Sequence, residues 1–229
     1  MIELDEVSVS LGAFSLRASL TLAAGERLVM VGPSGAGKST LLNMLAGFQP
    51  VDDGRIVLDG ADVTHAPVAA RPVSILFQDG NVFPHLNLAE NVGLGLRPDL
   101  RLSRDNTHAV SESLSQVGLA GMELRRPADL SGGQIARVAL ARMLLRDRPI
   151  ALMDEPFAAL DPALRREMAT LVRELCVARG TTLVLVAHEL RGIEDLATTL
   201  CLITDGGIVL HGNAKALFAD PPTALSAWV

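Results

Sequence analysis

Gly32-Pro33-Ser34-Gly35-Ala36-Gly37-Lys38-Ser39-Thr40 is the stretch that decides the fold. It follows an apolar run, Arg27 to Val31, and opens a helix-forming run from about Lys38 to Ala46, with Gly47 as a stop. The pattern G-x-x-x-x-G-K-[ST] between a strand and a helix is a phosphate-binding loop. Its glycines let the backbone close around phosphate oxygens, and successive N–H groups at a helix start make a positively polarised cradle. Lys38 is placed to reach the β- and γ-phosphates, and the Ser39 hydroxyl to ligate Mg²⁺.

Working outward, the chain repeats the theme of apolar strand followed by helix. Val73 to Phe77, Ile150 to Met153 and Thr181 to Ala187 read as short buried strands. Leu164, Met168, Leu171, Val172 and Leu175 form a helical stripe that starts after Asp161-Pro162 and stops at Gly180. Thr199 to Ile203 and Ile208 to Leu210 flank Asp205-Gly206-Gly207 as a hairpin. This alternation predicts an α/β fold, a mostly parallel sheet covered on both faces. Toward the N-terminus, Phe14, Leu16, Ala18, Leu20 and Leu22 alternate with polar residues, and Asp59-Gly60 marks a turn. A small antiparallel β-subdomain is expected there. Residues 86 to 148 read as mostly helical, with Val110, Leu114 and Val117 on one face and Ser103 as a cap. They are expected to form a helical subdomain inserted into a single domain spanning 1–229.

A second chemical signal lies at Ile150-Ala151-Leu152-Met153-Asp154-Glu155. Four apolar residues ending in two carboxylates place acids at the C-terminal edge of a buried strand, where open α/β sheets bind ligands. Asp154 suits Mg²⁺, and Glu155 suits the orientation of an attacking water. A third is Leu130-Ser131-Gly132-Gly133-Gln134, a Ser-capped helix start able to offer N–H groups to an anion.

The order of phosphate loop, Gln78, Leu130-Ser131-Gly132-Gly133-Gln134, Asp154-Glu155, Ala159-Leu160-Asp161 and His188 resembles the nucleotide-binding subunit of ATP-binding-cassette transporters along essentially the whole chain. The resemblance implies an ATPase whose ligands are ATP and Mg²⁺. It implies that two copies sandwich two nucleotides, each site pairing one phosphate loop with the partner's signature at Ser131, Gly132, Gly133 and Gln134. Gln78 then senses Mg²⁺ and touches the membrane subunits, Asp161 lies at the subunit interface, Glu155 activates water, and His188 contacts the γ-phosphate. The segment from Asn81 to Leu96 becomes the groove for a permease helix, with Phe83 and Leu86 supplying apolar surface. Two departures stand out. Leu11 occupies the place where the family often has an adenine-stacking aromatic, with Phe14 nearby. The signature continues Ile135-Ala136-Arg137, where Arg-Gln-Arg is common.

Within the family, Arg71 to Gln78, Asn91 to Leu96 and Pro98-Asp99-Leu100 are similar to the thiamine-importer branch. Glu155 to Arg165 is similar to that branch and also to iron, sulfate and polyamine importers. An importer implies permease subunits, a periplasmic solute-binding protein and a place on the cytoplasmic face of the inner membrane. Exporters and non-transport cassettes are the rival readings. A single cassette without fused repeats or a coiled-coil insertion argues against the latter, and the signature argues against a small-molecule kinase.

Composition sets bounds on these readings. The 229 residues are 49% hydrophobic and only 3% aromatic, with no Tyr, so the core is aliphatic, as in buried parallel sheets. A net charge of −6 disfavours non-specific nucleic-acid binding. Cys176 and Cys201 sit in apolar stretches as expected free thiols, and the remaining histidines, His65, His85, His108 and His211, lack metal-ligand spacing. No signal peptide and no membrane-spanning run is read.

Overall fold

A computed structural model describes residues 1–77 and 82–228. In chain order the elements are β1 (Ile2–Leu11), β2 (Phe14–Leu22), β3 (Arg27–Val31), α1 (Lys38–Ala46), β4 (Asp53–Leu58), β5 (Ala61–Asp62) and β6 (Val73–Leu76). There follow α2 (Leu88–Gly93), α3 (Arg104–Gln116), α4 (Gly132–Leu145), β7 (Ile150–Asp154) and α5 (Pro162–Arg179). The chain finishes with β8 (Thr182–Val186), β9 (Thr199–Thr204), β10 (Gly207–Asn213) and α6 (Ala214–Ala219). Gln78 lies outside the described residues.

The strands form one sheet in the order β5-β4-β1-β2-β10-β9-β3-β8-β7-β6. From β9 to β6 all pairings are parallel, and β1, β2, β4 and β5 pair antiparallel. The antiparallel sheet expected near the N-terminus is therefore present but not separate. It joins the parallel part through a short parallel pairing, Gly207 with Arg17.

The parallel strands are apolar on both sides, and their side chains sort by parity. Val29, Val31, Leu183, Leu185, Ala151 and Met153 enter one core with α3, α4 and α5. Leu28, Met30, Val184, Val186, Ile150 and Leu152 enter the other, beneath α1 and the antiparallel strands. A period-two alternation that is apolar on both faces leaves no solvent-facing side, which is why these strands read as unbroken hydrophobic runs.

The region read as mostly helical carries α2, α3 and α4 joined by turns. α2 is six residues long, and 94–103 and 117–131 are turns with one short 3-10 segment. Gly118 and Gly121, both at positive φ, and Leu100 at φ 55 interrupt the helical path. On α5 the fully buried face is Met168, Ala169, Val172 and Cys176, while Leu164, Leu171 and Leu175 pack along its margin. The inward face is thus turned slightly from the expected stripe.

Candidate functional site

Because β3, β7 and β8 run parallel, their C-terminal ends open on one edge of the sheet. Register makes this concrete: Met30 pairs with Val186, and Asp154 pairs with Val186 from the other side. The phosphate loop, Asp154 at the end of β7 with Glu155 just after it, and His188 after β8 therefore converge.

Gly32 leaves β3 at φ 150, and a Cβ there would lie 2.0 Å from the Ile203 carbonyl oxygen, so only glycine lets the loop pass β9. The turn of the β9–β10 hairpin buttresses the loop, the Gly206 N–H donating to the Ala36 carbonyl at 3.2 Å. The loop ends at Gly37, the N-cap of α1, with φ 106 and no side-chain cap. Every other α-helix carries one: Asn87, Ser103, Ser131, Asp161 and Asn213. The first N–H groups of a helix have no intrahelical acceptors. Among the described residues α1 alone has no side chain in that place, which is the arrangement a bound phosphate completes.

Lys38 is buried, and its Nζ donates to the Gly32 and Pro33 carbonyls at 2.7 and 2.9 Å. Burial pushes the ammonium below its ordinary value, and Glu155 and Asp154 oppose that shift by raising it. Ser39 Oγ donates to Asp154 Oδ1 at 3.2 Å across the gap between α1 and β7. A hydroxyl and a carboxylate oxygen are the hard donors a small divalent cation takes.

Glu155 follows β7 at φ 48, a backbone region that residues other than glycine rarely adopt. Such conformations cost on the order of 1–3 kcal/mol and concentrate at functional sites. The turn is held by the Glu155 N–H donating to the Val186 carbonyl at 3.1 Å. It brings Oε2 of Glu155 to 2.6 Å from Nε2 of His188, within ion-pair distance. The carboxylate is 11% exposed and the imidazole 53% exposed. A cavity of about 160 Å³ opens beside them, lined also by Phe157 and Arg165. Arg165 pairs with Glu189, next to His188.

The structure thus joins Ser39 to Asp154 and Glu155 to His188. Ser131, Gly132, Gly133 and Gln134 lie elsewhere, at the start of α4, where Ser131 and Gln134 close a reciprocal cap. Asp161 caps α5, accepting from the Ala163 and Leu164 N–H groups at 3.0 Å. No described hydrogen bond or ion pair links these two helix starts to the phosphate loop or to Glu155. Of the two residues considered for the base, Leu11 is 43% exposed, while a Cβ at Gly37 would meet the Phe14 ring at 2.9 Å. Phe14 therefore lies against the loop. Sequence reasoning did not find the left-handed turn at Glu155 or the Gly206 buttress. A Glu directly after an apolar strand gives no local signal of positive φ.

A family profile described as ABC transporter matches residues 16–158. The chain belongs to the ABC transporter family. Among curated relatives of this cassette, the thiamine import ATP-binding protein ThiQ of Jannaschia sp. (strain CCS1) is 53% identical over 229 residues, covering all of both chains. That of Cereibacter sphaeroides is 48% identical, covering 100% of this chain and 99% of its own. A dimeric ATP-binding cassette solved in a post-hydrolysis state, bound to ADP and Pi, superposes with a TM-score of 0.78 at 28% identity, over 93% of this cassette and 99% of that chain. Among the described residues no helix is long and apolar enough to cross a membrane.

Proposed function

We propose that this chain is the ATP-hydrolysing subunit of a bacterial thiamine importer. On this reading it works as a homodimer on the cytoplasmic face of the inner membrane. It is bound there to permease subunits and served by a periplasmic binding protein. The full-length identity of 53% to a thiamine import protein is the observation that carries the cargo assignment. Residues 1–229 act as one cassette, with the lobe at about 86–148 as its inserted subdomain, and the segment from Asn81 to Leu96 with the preceding Gln78, of which 78–81 lie outside the described residues, faces the permease.

The roles below belong to that same reading. The uncapped start of α1 and the backbone of Gly32, Pro33, Ser34, Gly35, Ala36 and Gly37 hold the phosphates, aided by Thr40 in the first turn. Lys38 exchanges its two carbonyl acceptors for phosphate oxygens. Ser39, Asp154 and Gln78 hold Mg²⁺, which when bound neutralises phosphate charge. Among the described residues no three His, Cys, Asp or Glu side chains cluster as a metal cage, so the other ligands come from phosphate and water. Glu155 orients and polarises the attacking water, and the short contact with His188 holds its carboxylate at the sheet edge. Ser131 Oγ, while accepting from Gln134, still has its own proton to donate to the γ-phosphate of the partner copy. Gly132 and Gly133 leave room for close approach, and Asp161 keeps the interface loop rigid by capping α5.

The test is ATP turnover by the cassette reconstituted with its membrane subunits and a thiamine-loaded binding protein. Stimulation by thiamine, and not by iron, sulfate or polyamine with their own binding proteins, is the expected result. Intact basal turnover with no response to thiamine refutes the cargo assignment.

A further inference from the structure

Asn91 is a polar side chain with no exposure at all, on the short helix α2. Its amide is wholly taken up by the loop just before that helix. Oδ1 accepts from the Phe83 N–H at 2.7 Å. Nδ2 donates to the carbonyls of Phe83, Leu86 and Asn87 at 3.0, 3.1 and 3.0 Å. Two donor hydrogens serve three acceptors, so one bond is shared. A single buried amide thus closes residues 83–87 into a fixed loop, which carries no strand pairing of its own.

The loop holds an aromatic ring out in solvent. Phe83 is 42% exposed. Its ring meets His85 edge-on, with centroids 5.9 Å apart. On another side it lies over the Arg142 guanidinium, 5.9 Å from the ring centroid. Arg142 belongs to α4, the helix that begins at the signature Ser131-Gly132-Gly133. A clamped loop, an exposed ring and the signature helix are therefore in direct succession. Burial of an exposed aromatic of this kind is a common energetic centre of protein interfaces.

We propose that Asn91 is the positioning residue of the permease-facing loop. It holds Phe83 over Arg142 so that a permease helix pressing on the ring moves α4 and the signature with it. This rests on the reading of the cassette as an importer subunit. Among the described residues the Asn91 side chain bonds neither to the phosphate loop nor to Asp154 or Glu155, so its effect belongs to coupling and not to hydrolysis itself.

Asn91→Asp keeps the acceptor for the Phe83 N–H but sets a carboxylate against three carbonyl oxygens, which opens the clamp. The measured quantity is the ratio of turnover with permease and loaded binding protein to turnover of the isolated cassette. The expected result is a fall of about tenfold in that ratio, with isolated turnover changed less than about twofold, equivalent to a coupling loss near 1.4 kcal/mol. A purely structural role lowers both turnovers together and overturns the inference. Phe83→Ala, at an exposed position that leaves the clamp intact, is expected to give the same loss of ratio. Full stimulation in that variant overturns the inference even where Asn91→Asp does not fold. Hydrogen exchange on the unmodified cassette is a further check, since the Phe83 amide is expected to be protected and rapid exchange there contradicts the clamp. If the unmodified cassette is not stimulated by its permease, the importer reading falls and this inference with it. If it is stimulated and Asn91→Asp responds equally, only this inference falls.

Discussion

Replacing Arg71 with methionine should destabilise the cassette by about 3 kcal/mol, mainly from two charge-assisted hydrogen bonds at roughly 1.5 kcal/mol each. Arg71 is 3% exposed, and among the described residues it has no carboxylate partner. Its guanidinium sits at the C-terminal end of α1, where Nη1 donates to the Met44 and Leu45 carbonyls at 2.7 and 3.0 Å. Longer contacts reach Ala66 and Thr64 at 3.2 and 3.4 Å and add little. Burial lowers its pKa, and the charge is compensated by carbonyls and the negative end of the helix in place of an anion. Methionine fills the stem's volume but leaves those carbonyls without donors. The helix-end attraction that is also lost, about 0.5–1 kcal/mol, is offset by no longer burying a charge. For a chain of this length, each kcal/mol moves the melting temperature by about 2–4 °C, so a drop of roughly 6–12 °C is expected. Calorimetry of the nucleotide-free cassette measures it. Arg71→Lys, with a single point donor, should fall between the two. A drop below about 2 °C for Arg71→Met would refute the account, because it would mean the carbonyls find other donors at no cost.

Glu155→Gln should lower ATP turnover by roughly 100-fold or more while leaving nucleotide binding intact, and light scattering with MgATP should then find a persistent dimer. A variant that stays monomeric with ATP counts against Glu155 as the water-activating group. Ser131→Arg should retain nucleotide binding but lose hydrolysis, because the longer side chain blocks the approach of a partner's phosphates. Normal turnover in that variant would defeat the composite-site reading. Burial pushes the Cys176 thiol up to about 11 and the Cys201 thiol to about 12, from an ordinary 9.0. Both should resist thiol reagents at pH 8 until the protein is denatured, and native labelling would contradict their burial. The folded state holds these protons where the unfolded state releases them. Stability from the two thiols is thus complete below pH 9 and declines as pH rises from 9 to about 12, measurable as a falling denaturation midpoint.

The parts of the fold legible in the sequence are those where local chemistry and tertiary role agree. The helix expected at Lys38 to Ala46 and the strand at Arg27 to Val31 occur with those bounds, because Gly37 and Gly47 both sit at positive φ and punctuate the run. Asp205-Gly206 and Asp59-Gly60 likewise give tight hairpin turns with both residues at positive φ. What was not legible depends on distant partners. The parallel pairing of Gly207 with Arg17 fuses two sheets through residues about 190 positions apart, and no local pattern encodes it. The turns that break the lobe between β6 and β7 are not legible, because its apolar spacing persists through stretches that glycines and Leu100 turn aside. In the site, the motifs located Ser39, Asp154, Glu155 and His188. The contact between Glu155 and His188 comes from adjacent strands and a left-handed turn that spacing does not reveal. In the sequence Asn91 stands out only as part of the stretches likened to other cassettes. Only the closure of 83–87 around it shows why it is buried.

The bare start of α1 has a consequence for the life of the molecule between turnovers. A helix whose N-terminal donors await an anion is an unfinished piece of secondary structure, and the ligand that finishes it is the one the cassette consumes. Ligand at 100 times its dissociation constant adds about 2.7 kcal/mol to the folded state. The empty protein is therefore the fragile one, more open to proteolysis and heat, and a cell short of nucleotide would hold a larger share of its copies in that form. Any polyphosphate able to seat at Gly37 should slow unfolding, and a nucleoside without phosphate should not.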